Sequence, residues 1–393
     1  MHNSTKQIPD AAPRRPHKAR GVLLAVLMIL VLIAAAVLIF PHVMNPDRAV
    51  RFFRYMGLRD KEGYGRISFE GGAGNVYAGF DDGLLVGTES SLSLYSLDGE
   101  QKALVQGALP APVLRTGGEV SFLFSPGSSY AVALGSGGRI LLDGALDGAV
   151  LDASVSTDGF TARLTAQSGY KAVATVLNPN QDAVYRFSSR TRYLNACAVS
   201  EKGAYLAVAS LEEQDSIYRS GITILRTDQP LTDLEEDDAA VRVELGNQLI
   251  YELRFLDREH LLAVAQDELI FLDTAGQLLA SLPLAGDRLI DYDISEEGWL
   301  ILALEVSGGD CKVLTFDAEG SQISELELPE RVRSVSSAGR YAAVLTEMYL
   351  QTYDRHLVPY DRTWDVPGAV RVVARPDGTA LLIASSGTKL FIP

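Results

Sequence analysis

A hairpin-like pattern recurs along the chain after residue 63 and limits its fold more than any other feature. In five segments, strand-like residues lead into a polar turn, a glycine follows, and a second apolar strand begins: SVSTDGFTARLT (154–165), AVSEKGAYLAVAS (198–210), DISEEGWLILALE (293–305), SVSSAGRYAAVLT (334–346) and VARPDGTALLIAS (373–385). RFLDREHLLAVAQ (254–266) follows the same plan with Glu259 in place of the glycine. A glycine at this point indicates a turn that needs a positive φ angle.

A second pattern follows several of these hairpins. An apolar strand runs into an Asp-containing turn and then into another strand, as in LSLYSLDGEQ (92–101), LIFLDTAGQLL (269–279), VLTFDAEGSQI (313–323) and LQTYDRHLVPY (350–360). Together the two patterns give four short strands in about 40 residues, a repeat typical of a β-propeller. One such unit cannot bury both faces of its sheet, so we expect the units to stack around an axis.

The repeats predict an all-β fold, a propeller of about eight four-stranded blades over residues 64–393. Units lie near 74–106, 112–150, 151–192, 195–246, 248–286, 289–328, 331–367 and 369–393. Seven blades is the alternative, because the unit at 112–150 is irregular. The last unit has room for three strands, and we expect YGRISFE (64–70) to supply the fourth. Closing the ring in this way removes an open sheet edge.

A long apolar segment precedes the repeats. Residues 21–40, GVLLAVLMILVLIAAAVLIF, contain no charged or polar side chain. As a helix they would rise about 30 Å, the thickness of a bilayer core. We predict an uncleaved transmembrane helix, because the apolar region of a cleaved signal peptide is usually shorter, roughly 7–15 residues.

Basic residues set the expected orientation of this helix. Arg14, Arg15, Lys18 and Arg20 lie directly before it. Positive residues next to a membrane helix usually stay in the cytoplasm. We therefore expect residues 1–20 to form a basic cytoplasmic tail. The protein would be a single-pass protein of the cell membrane, with an extracytoplasmic propeller.

Residues 41–63 are predicted to form a juxtamembrane amphipathic helix and a linker. Within NPDRAVRFFRYMGL (45–58), the apolar residues and the arginines fall on separate arcs of a helix. One interpretation is a helix on the membrane surface that contacts anionic lipid. Its basic residues would be Arg48, Arg51, Arg54 and Arg59. The other interpretation is a stalk helix packed on the globular domain.

The distribution of charge excludes a nucleic-acid partner. The chain has a net charge of −15, with ten Lys or Arg and four Asp or Glu in residues 1–62. That segment is therefore +6, and residues 63–393 carry −21. A domain so acidic would repel phosphates on approach.

Few residues suggest catalytic chemistry. Cys197 and Cys311 each lie in an apolar run, so we predict lone buried thiols. A disulfide would need their Cα atoms within about 7 Å. His260 opens an apolar strand and His356 occupies an Asp-turn, so both are expected to be turn or surface residues. No CxxC, GxSxG or HExxH motif is present.

The remaining polar motifs have structural interpretations. Asp98, Asp273, Asp317 and Asp354 recur once per unit, which predicts a role in forming turns. DLEEDD (233–238), in an insertion of the fourth unit, lacks the spacing of an EF-hand and is expected to be a solvated loop. GSGGR (135–139) is expected to form a tight hairpin. No catalytic, cofactor-binding or metal-binding residue is predicted.

The turns and the layout carry a family resemblance. The strand–Asp–x–x–Gly–strand turns resemble those of WD-type and quinoprotein-type propellers. The whole layout resembles an uncharacterised family of single-pass, membrane-anchored bacterial β-propeller proteins. GAVLDASVSTDGFTARLTAQSGYKAVATVL (148–177) and ACAVSEKGAYLAVAS (196–210) carry most of this likeness. The resemblance implies the fold and no activity. No cofactor is expected, because the tryptophan that quinoprotein repeats often place after their turn is missing.

These observations together favour a non-catalytic binding or scaffolding module of the cell envelope, with a protein or other envelope component as its partner. One alternative is a propeller enzyme that acts on envelope glycans or carries a quinone cofactor in its channel. Another is an envelope sensor, although a cytoplasmic tail of about 20 residues leaves little room for an output.

Overall fold

The chain divides into two compact units, Met1–Glu62 and Gly63–Pro393. The computed structural model describes Met28 and Tyr55 of the first unit and residues 64–214, 217–228, 241–306 and 308–393 of the second. The predicted transmembrane helix (21–40, apart from Met28) and the predicted juxtamembrane segment (41–63, apart from Tyr55) lie outside the described residues. So does the acidic insertion at 233–238. No described helix has the length and apolarity that crossing a bilayer requires.

The second unit is an eight-bladed β-propeller, as the sequence repeats predict. Its described residues form 31 strands in eight antiparallel sheets, seven with four strands and one with three. Within each sheet the strands follow one another in chain order.

Blades 1 to 4 contain the first sixteen strands. Blades 1 and 2 consist of β1 (Val76–Phe80), β2 (Gly83–Gly87), β3 (Ser91–Tyr95), β4 (Gln101–Gln106), β5 (Val113–Gly117), β6 (Val120–Phe124), β7 (Tyr130–Gly135) and β8 (Arg139–Ala145). Blades 3 and 4 consist of β9 (Ala149–Val155), β10 (Thr161–Ala166), β11 (Ala172–Leu177), β12 (Ala183–Ser189), β13 (Tyr193–Val199), β14 (Tyr205–Gln214), β15 (Ile217–Arg226) and β16 (Val241–Gly246). Short 3-10 turns occupy Ser136–Gly138 and Glu201–Gly203.

Blades 5 to 8 contain the remaining fifteen strands. Blades 5 and 6 consist of β17 (Ile250–Phe255), β18 (His260–Ala265), β19 (Glu268–Asp273), β20 (Leu278–Pro283), β21 (Arg288–Ile294), β22 (Leu300–Glu305), β23 (Cys311–Phe316) and β24 (Gln322–Leu328). Blades 7 and 8 consist of β25 (Val332–Ala338), β26 (Tyr341–Thr346), β27 (Leu350–Asp354), β28 (Pro359–Thr363), β29 (Arg371–Ala374), β30 (Ala380–Ala384) and β31 (Gly387–Phe391).

The ring closes through the N-terminal segment 64–70, as predicted. Ser68 forms an antiparallel bridge with Gly387, beside β31. The amide of Thr388 donates to the carbonyl of Ile67 at 2.9 Å, and its hydroxyl donates to the carbonyl of Gly65 at 2.8 Å. Blade 8 thereby acquires a fourth, N-terminal segment at its outer edge, and β29 contacts β1 at its inner edge.

The hydrophobic core is divided among the junctions between blades. Among the described residues there are eight buried clusters, and each joins residues of two adjacent blades. Because side chains alternate along a strand, one strand serves two clusters. In β14, Leu206 and Val208 pack toward blade 3, while Ala207 and Ala209 pack toward blade 5. Eight junctions close a ring of eight blades, which decides against the seven-bladed alternative.

The turn glycines have the conformation that their positions predict. All five have a positive φ, between 52° and 88°: Gly159, Gly203, Gly298, Gly339 and Gly378. Glu259, which takes the glycine's place in blade 5, is not among the non-glycine residues with positive φ. Its amide instead donates to the Asp257 carboxylate at 2.8 Å, so this turn forms in another way.

Candidate functional site

The first strands of the blades surround a central channel, and a cavity of about 350 Å³ lies at one end of it. All eight blades contribute to its lining, each through the end of its first strand or the turn that follows. We call this end the channel mouth. A cavity of this size lies at the lower end of the range for small-molecule sites.

Bulges position the side chains of the channel wall. In blades 3 to 7 the pairing of the first strand with the second shifts by one residue at a corresponding place. A bulge redirects the side chains next to it. The residues directly after the shift are Asp152, Ala196, Glu252, Asp291 and Ser334.

An ion pair spans the channel. Arg115 of blade 2 places Nη2 at 3.0 Å from Oε1 of Glu252 in blade 5. These blades are not neighbours, so the contact bridges the ring from one side to the other. Arg115 Nε also donates to the carbonyl of Ala153 at 3.2 Å, and the Tyr292 hydroxyl donates to Oε2 of Glu252. The Arg115 and Glu252 side chains are 20% and 21% exposed, so these contacts compensate charges that water reaches only in part.

The surroundings keep this pair ionised. Burial alone would lower the pKa of Arg115, but the carboxylates of Glu252 and Asp152 outweigh burial and raise that pKa. For Glu252, burial favours the neutral acid, yet Arg115, Arg254 and the Tyr292 hydroxyl lower its pKa. Burial raises the pKa of Asp152 to about 6, because Arg115, 4.0 Å away, compensates only in part.

Carboxylates and serines join the first strands of adjacent blades. Asp152 accepts a hydrogen bond from the amide of Cys197 at 2.9 Å, which links blades 3 and 4. Asp291 accepts from the amide of Val335 at 3.0 Å and from the hydroxyl of Ser334 at 2.9 Å, which links blades 6 and 7.

Asp293 lies nearer the mouth and lines the cavity. It accepts from the Ser337 amide at 2.8 Å and from the Ser336 hydroxyl at 2.9 Å. Ser336 Oγ in turn accepts from the Ala374 amide of blade 8 at 3.0 Å. Burial raises the pKa of Asp293 to about 6 despite these hydrogen bonds.

The residues considered from sequence lie in turns or in the core. His260 places Nδ1 at 2.8 Å from Oδ2 of Asp257, which caps the same turn. His356 is exposed, and its amide donates to Asp354 at 2.9 Å. Cys197 and Cys311 are both buried and form no disulfide.

The Asp-turns and the GSGGR segment match their structural interpretations. Asp273, Asp317 and Asp354 each accept the amide four residues later, at 2.7, 2.8 and 3.0 Å. GSGGR forms the tight connection between β7 and β8. Within the described ranges, no group of three or more His, Cys, Asp or Glu side chains is placed to hold a metal ion.

Sequence reasoning missed the charged residues of the channel wall. Their signal is a charged residue in the first strand, seven positions before the turn glycine. Asp152, Asp291 and Arg371 hold that position before Gly159, Gly298 and Gly378, and Glu252 holds it before Glu259. The repeated hairpin pattern starts after this position in each blade, at residues 154, 254, 293 and 373.

The fold and the channel cavity define a β-propeller with a ligand-sized cavity at its channel mouth. The chain belongs to the family of unknown function DUF5711, whose model matches residues 60–356. No curated protein shows significant sequence similarity to it.

A solved WD40 domain shares the architecture. The C-terminal WD40 domain of Sif2 is 9% identical, with a TM-score of 0.55 over 83% of this chain and 97% of that chain. Apo AztD from Citrobacter koseri is 11% identical, with a TM-score of 0.49 over 80% and 89%. The Pan2 WD40 domain of Neurospora crassa is 11% identical, with a TM-score of 0.45 over 72% and 88%. Identities this low show the fold alone.

Proposed function

We propose that this protein is a membrane-anchored, non-catalytic binding or scaffolding module of the cell envelope, with its propeller on the extracytoplasmic side. The observation that carries the binding role is the cavity at the channel mouth, to which all eight blades contribute. Because the ion pair and carboxylate links described above hold the first strands together, the cavity is preorganised. Preorganisation lowers the entropic cost of binding.

The lining of the cavity supports binding rather than turnover. Its described residues include no histidine, cysteine or lysine. Histidine is the most frequent general base, cysteine a frequent nucleophile, and lysine the residue that forms Schiff bases. The apolar segment 21–40 supports a membrane anchor. The basic residues before it support an extracytoplasmic propeller.

One observation favours a second candidate, a propeller enzyme that acts on envelope glycans. Asp293 lines the cavity, and its pKa is raised to about 6. A raised carboxyl pKa is typical of a general acid in glycoside hydrolysis. The three hydrogen bonds that Asp293 accepts, from Ser336, Ser337 and Ile294, favour a structural role instead.

Site-specific photocrosslinking in intact cells tests the binding role. A photoreactive residue replaces Pro376, which is exposed and lines the cavity, or Met348, which is 57% exposed and outside the lining. We expect one reproducible adduct from position 376 and none from position 348. Equal adducts from both positions, or glycan turnover by the full chain that Asp293→Asn abolishes, would contradict the proposal.

A further inference from the structure

Three arginines line the cavity and, among the described residues, make only long ion pairs, without a hydrogen bond to a carboxylate. Arg254 lies in β17 of blade 5. Arg371 lies in β29 of blade 8, and Arg375 lies in the turn after β29. The nearest carboxylate oxygens lie at 3.6 Å from Arg254, at 3.8 Å from Arg371, and at 3.8 and 3.9 Å from Arg375. These separations exceed hydrogen-bond distance.

Most hydrogen-bond donors of these guanidinium groups are therefore unused. In the described part of the chain, Arg375 donates one hydrogen bond, to the carbonyl of Asp82 at 3.2 Å, and Arg254 and Arg371 donate none. Arg115 differs, since it holds both a carboxylate at 3.0 Å and a carbonyl at 3.2 Å. Five donors in a planar fork make a guanidinium suited to a planar oxyanion.

The carboxylates that line the cavity are mostly occupied by the protein itself. Five of the six accept at least one hydrogen bond from a protein N–H or O–H group: Asp81, Glu201, Asp257, Asp293 and Glu296. The sixth, Asp82, lies at the fully exposed rim, 3.9 Å from Arg375. The cavity thus offers free donors although acids outnumber arginines in its lining.

Two buried polar atoms at the cavity also lack a partner. Among the described residues, Ser337 Oγ and Arg375 Nε are inaccessible and make no hydrogen bond. Both residues line the cavity, and both are 8% exposed. A buried polar group without a hydrogen bond destabilises the folded state. The described part of the protein itself supplies no partner for either group, and both residues lie at the cavity wall.

We propose that the cavity binds the carboxylate of a small ligand, with Arg371 and Arg375 on one wall and Arg254 on another. This inference rests on the proposed binding function and names the chemistry of the ligand. A carboxylate matches the guanidinium fork and can accept two parallel hydrogen bonds. It carries one negative charge, whereas a phosphate carries nearly two at neutral pH and would meet stronger repulsion from the six acids. The carboxylate belongs either to a free organic acid or to the C-terminus of a peptide.

Calorimetric titration of the full chain tests this assignment. The probes are propionate as a free acid, N-acetyl-Ala-Ala as a peptide C-terminus, N-acetyl-Ala-Ala-amide as the neutral control for that peptide, and inorganic phosphate. We expect saturable binding of at least one carboxylate and none of the amide. Tighter binding of propionate assigns a free acid, and tighter binding of N-acetyl-Ala-Ala assigns a peptide terminus.

Arginine variants locate the binding. Arg371 is 50% exposed, so Arg371→Gln keeps the fold and removes donors from the cavity. Arg331→Gln is the matched control, because Arg331 is 56% exposed, lies 3.9 Å from a carboxylate, and is outside the lining. Arg371→Gln and Arg254→Gln should each weaken carboxylate binding about tenfold, and Arg331→Gln less than about twofold.

Three results overturn the assignment: no saturable carboxylate binding up to about 10 mM, tighter binding of phosphate than of either carboxylate, or equal effects of Arg371→Gln and Arg331→Gln. If the crosslink from position 376 persists in that case, the binding module stands and only its ligand chemistry fails.

Discussion

Arg115 and Glu252 form an ion pair that connects opposite sides of the channel. Their ion pair joins blades that share no interface, so it resists expansion of the ring, whereas the hydrophobic clusters act only between neighbours. A buried ion pair adds little net stability over apolar side chains, but the loss of one partner leaves an uncompensated charge. The pair is therefore expected to be sensitive to single substitution.

We expect Glu252→Gln to lower the free energy of unfolding by about 3 kcal/mol, because it leaves the largely buried Arg115 with Asp152, 4.0 Å away, as its remaining counter-charge. Urea denaturation of the full chain measures this. The matched control is Glu325→Gln, which breaks the partly exposed Lys312–Glu325 pair at 2.8 Å and should cost less than about 1 kcal/mol. Equal losses in the two variants would contradict a structural role for the cross-channel pair.

Asp293 gives the protein an unusual dependence on pH. Its pKa is raised from 3.8 to about 6, so the folded state binds a proton more tightly than the unfolded state does. The stabilisation is complete below about pH 4 and is lost as the pH rises through about 6. Burial also raises the pKa of Asp152 to about 6, so Asp152 contributes to stability in the same direction and over the same pH range.

Asp293→Asn should therefore flatten the pH dependence of stability. The wild-type chain should lose about 1–3 kcal/mol of unfolding free energy between pH 4.5 and 7, and the variant clearly less. Denaturation curves at these two pH values test this, with Asp310→Asn, an exposed site outside the cavity lining, as the control. Parallel pH profiles for wild type and Asp293→Asn would be incompatible with the raised pKa.

At the scale of elements, the hairpins could be predicted and the channel wall could not. Turn residues act locally, so the glycine and aspartate patterns alone predicted the turns at Gly203 and Asp317. Glu252 and Arg115 lie 137 positions apart and meet only because the ring closes. Their pairing depends on blade number, bulge position and channel width, none of which a local pattern contains.

The turn at Gly203 should tolerate no side chain. Its φ is +62°, and an added Cβ would lie 2.5 Å from Cδ1 of Phe160 in the preceding blade. Gly169 also has a positive φ, +89°, but an added Cβ there would meet nothing within 4 Å. Gly169→Ala should cost about 1–2 kcal/mol from backbone strain, and Gly203→Ala measurably more. Similar thermal denaturation midpoints for the two variants would contradict the close packing of this turn against blade 3.

For the whole molecule, closure of the ring depends on segment 64–70 beside β31. The Thr388 hydroxyl accepts from the amide of Ile67 at 3.1 Å and donates to the carbonyl of Gly65 at 2.8 Å. The last unit has room for three strands and YGRISFE is the first strand-like segment before the repeats, which was enough to predict this closure. The partner residue Thr388, more than 300 positions away, required the structure.

Thr388→Val should weaken closure by about 1–2 kcal/mol, because it leaves the Ile67 amide without its acceptor. Thr388→Ser keeps the hydroxyl and serves as the control. Hydrogen exchange at residues 64–70 and at β31 should increase in the valine variant and remain near wild type in the serine variant. Equal exchange in both variants would show that the hydroxyl does not secure the ring.

The proposed function puts the channel mouth of a membrane-anchored propeller outside the cytoplasm. Protease digestion of intact, cell-wall-stripped cells, followed by blotting for the C-terminal domain, tests it most directly. We predict loss of the domain in intact cells while a cytoplasmic marker survives. Protection of the domain until lysis, with a known external protein cut in the same cells, would place the propeller in the cytoplasm and contradict the account.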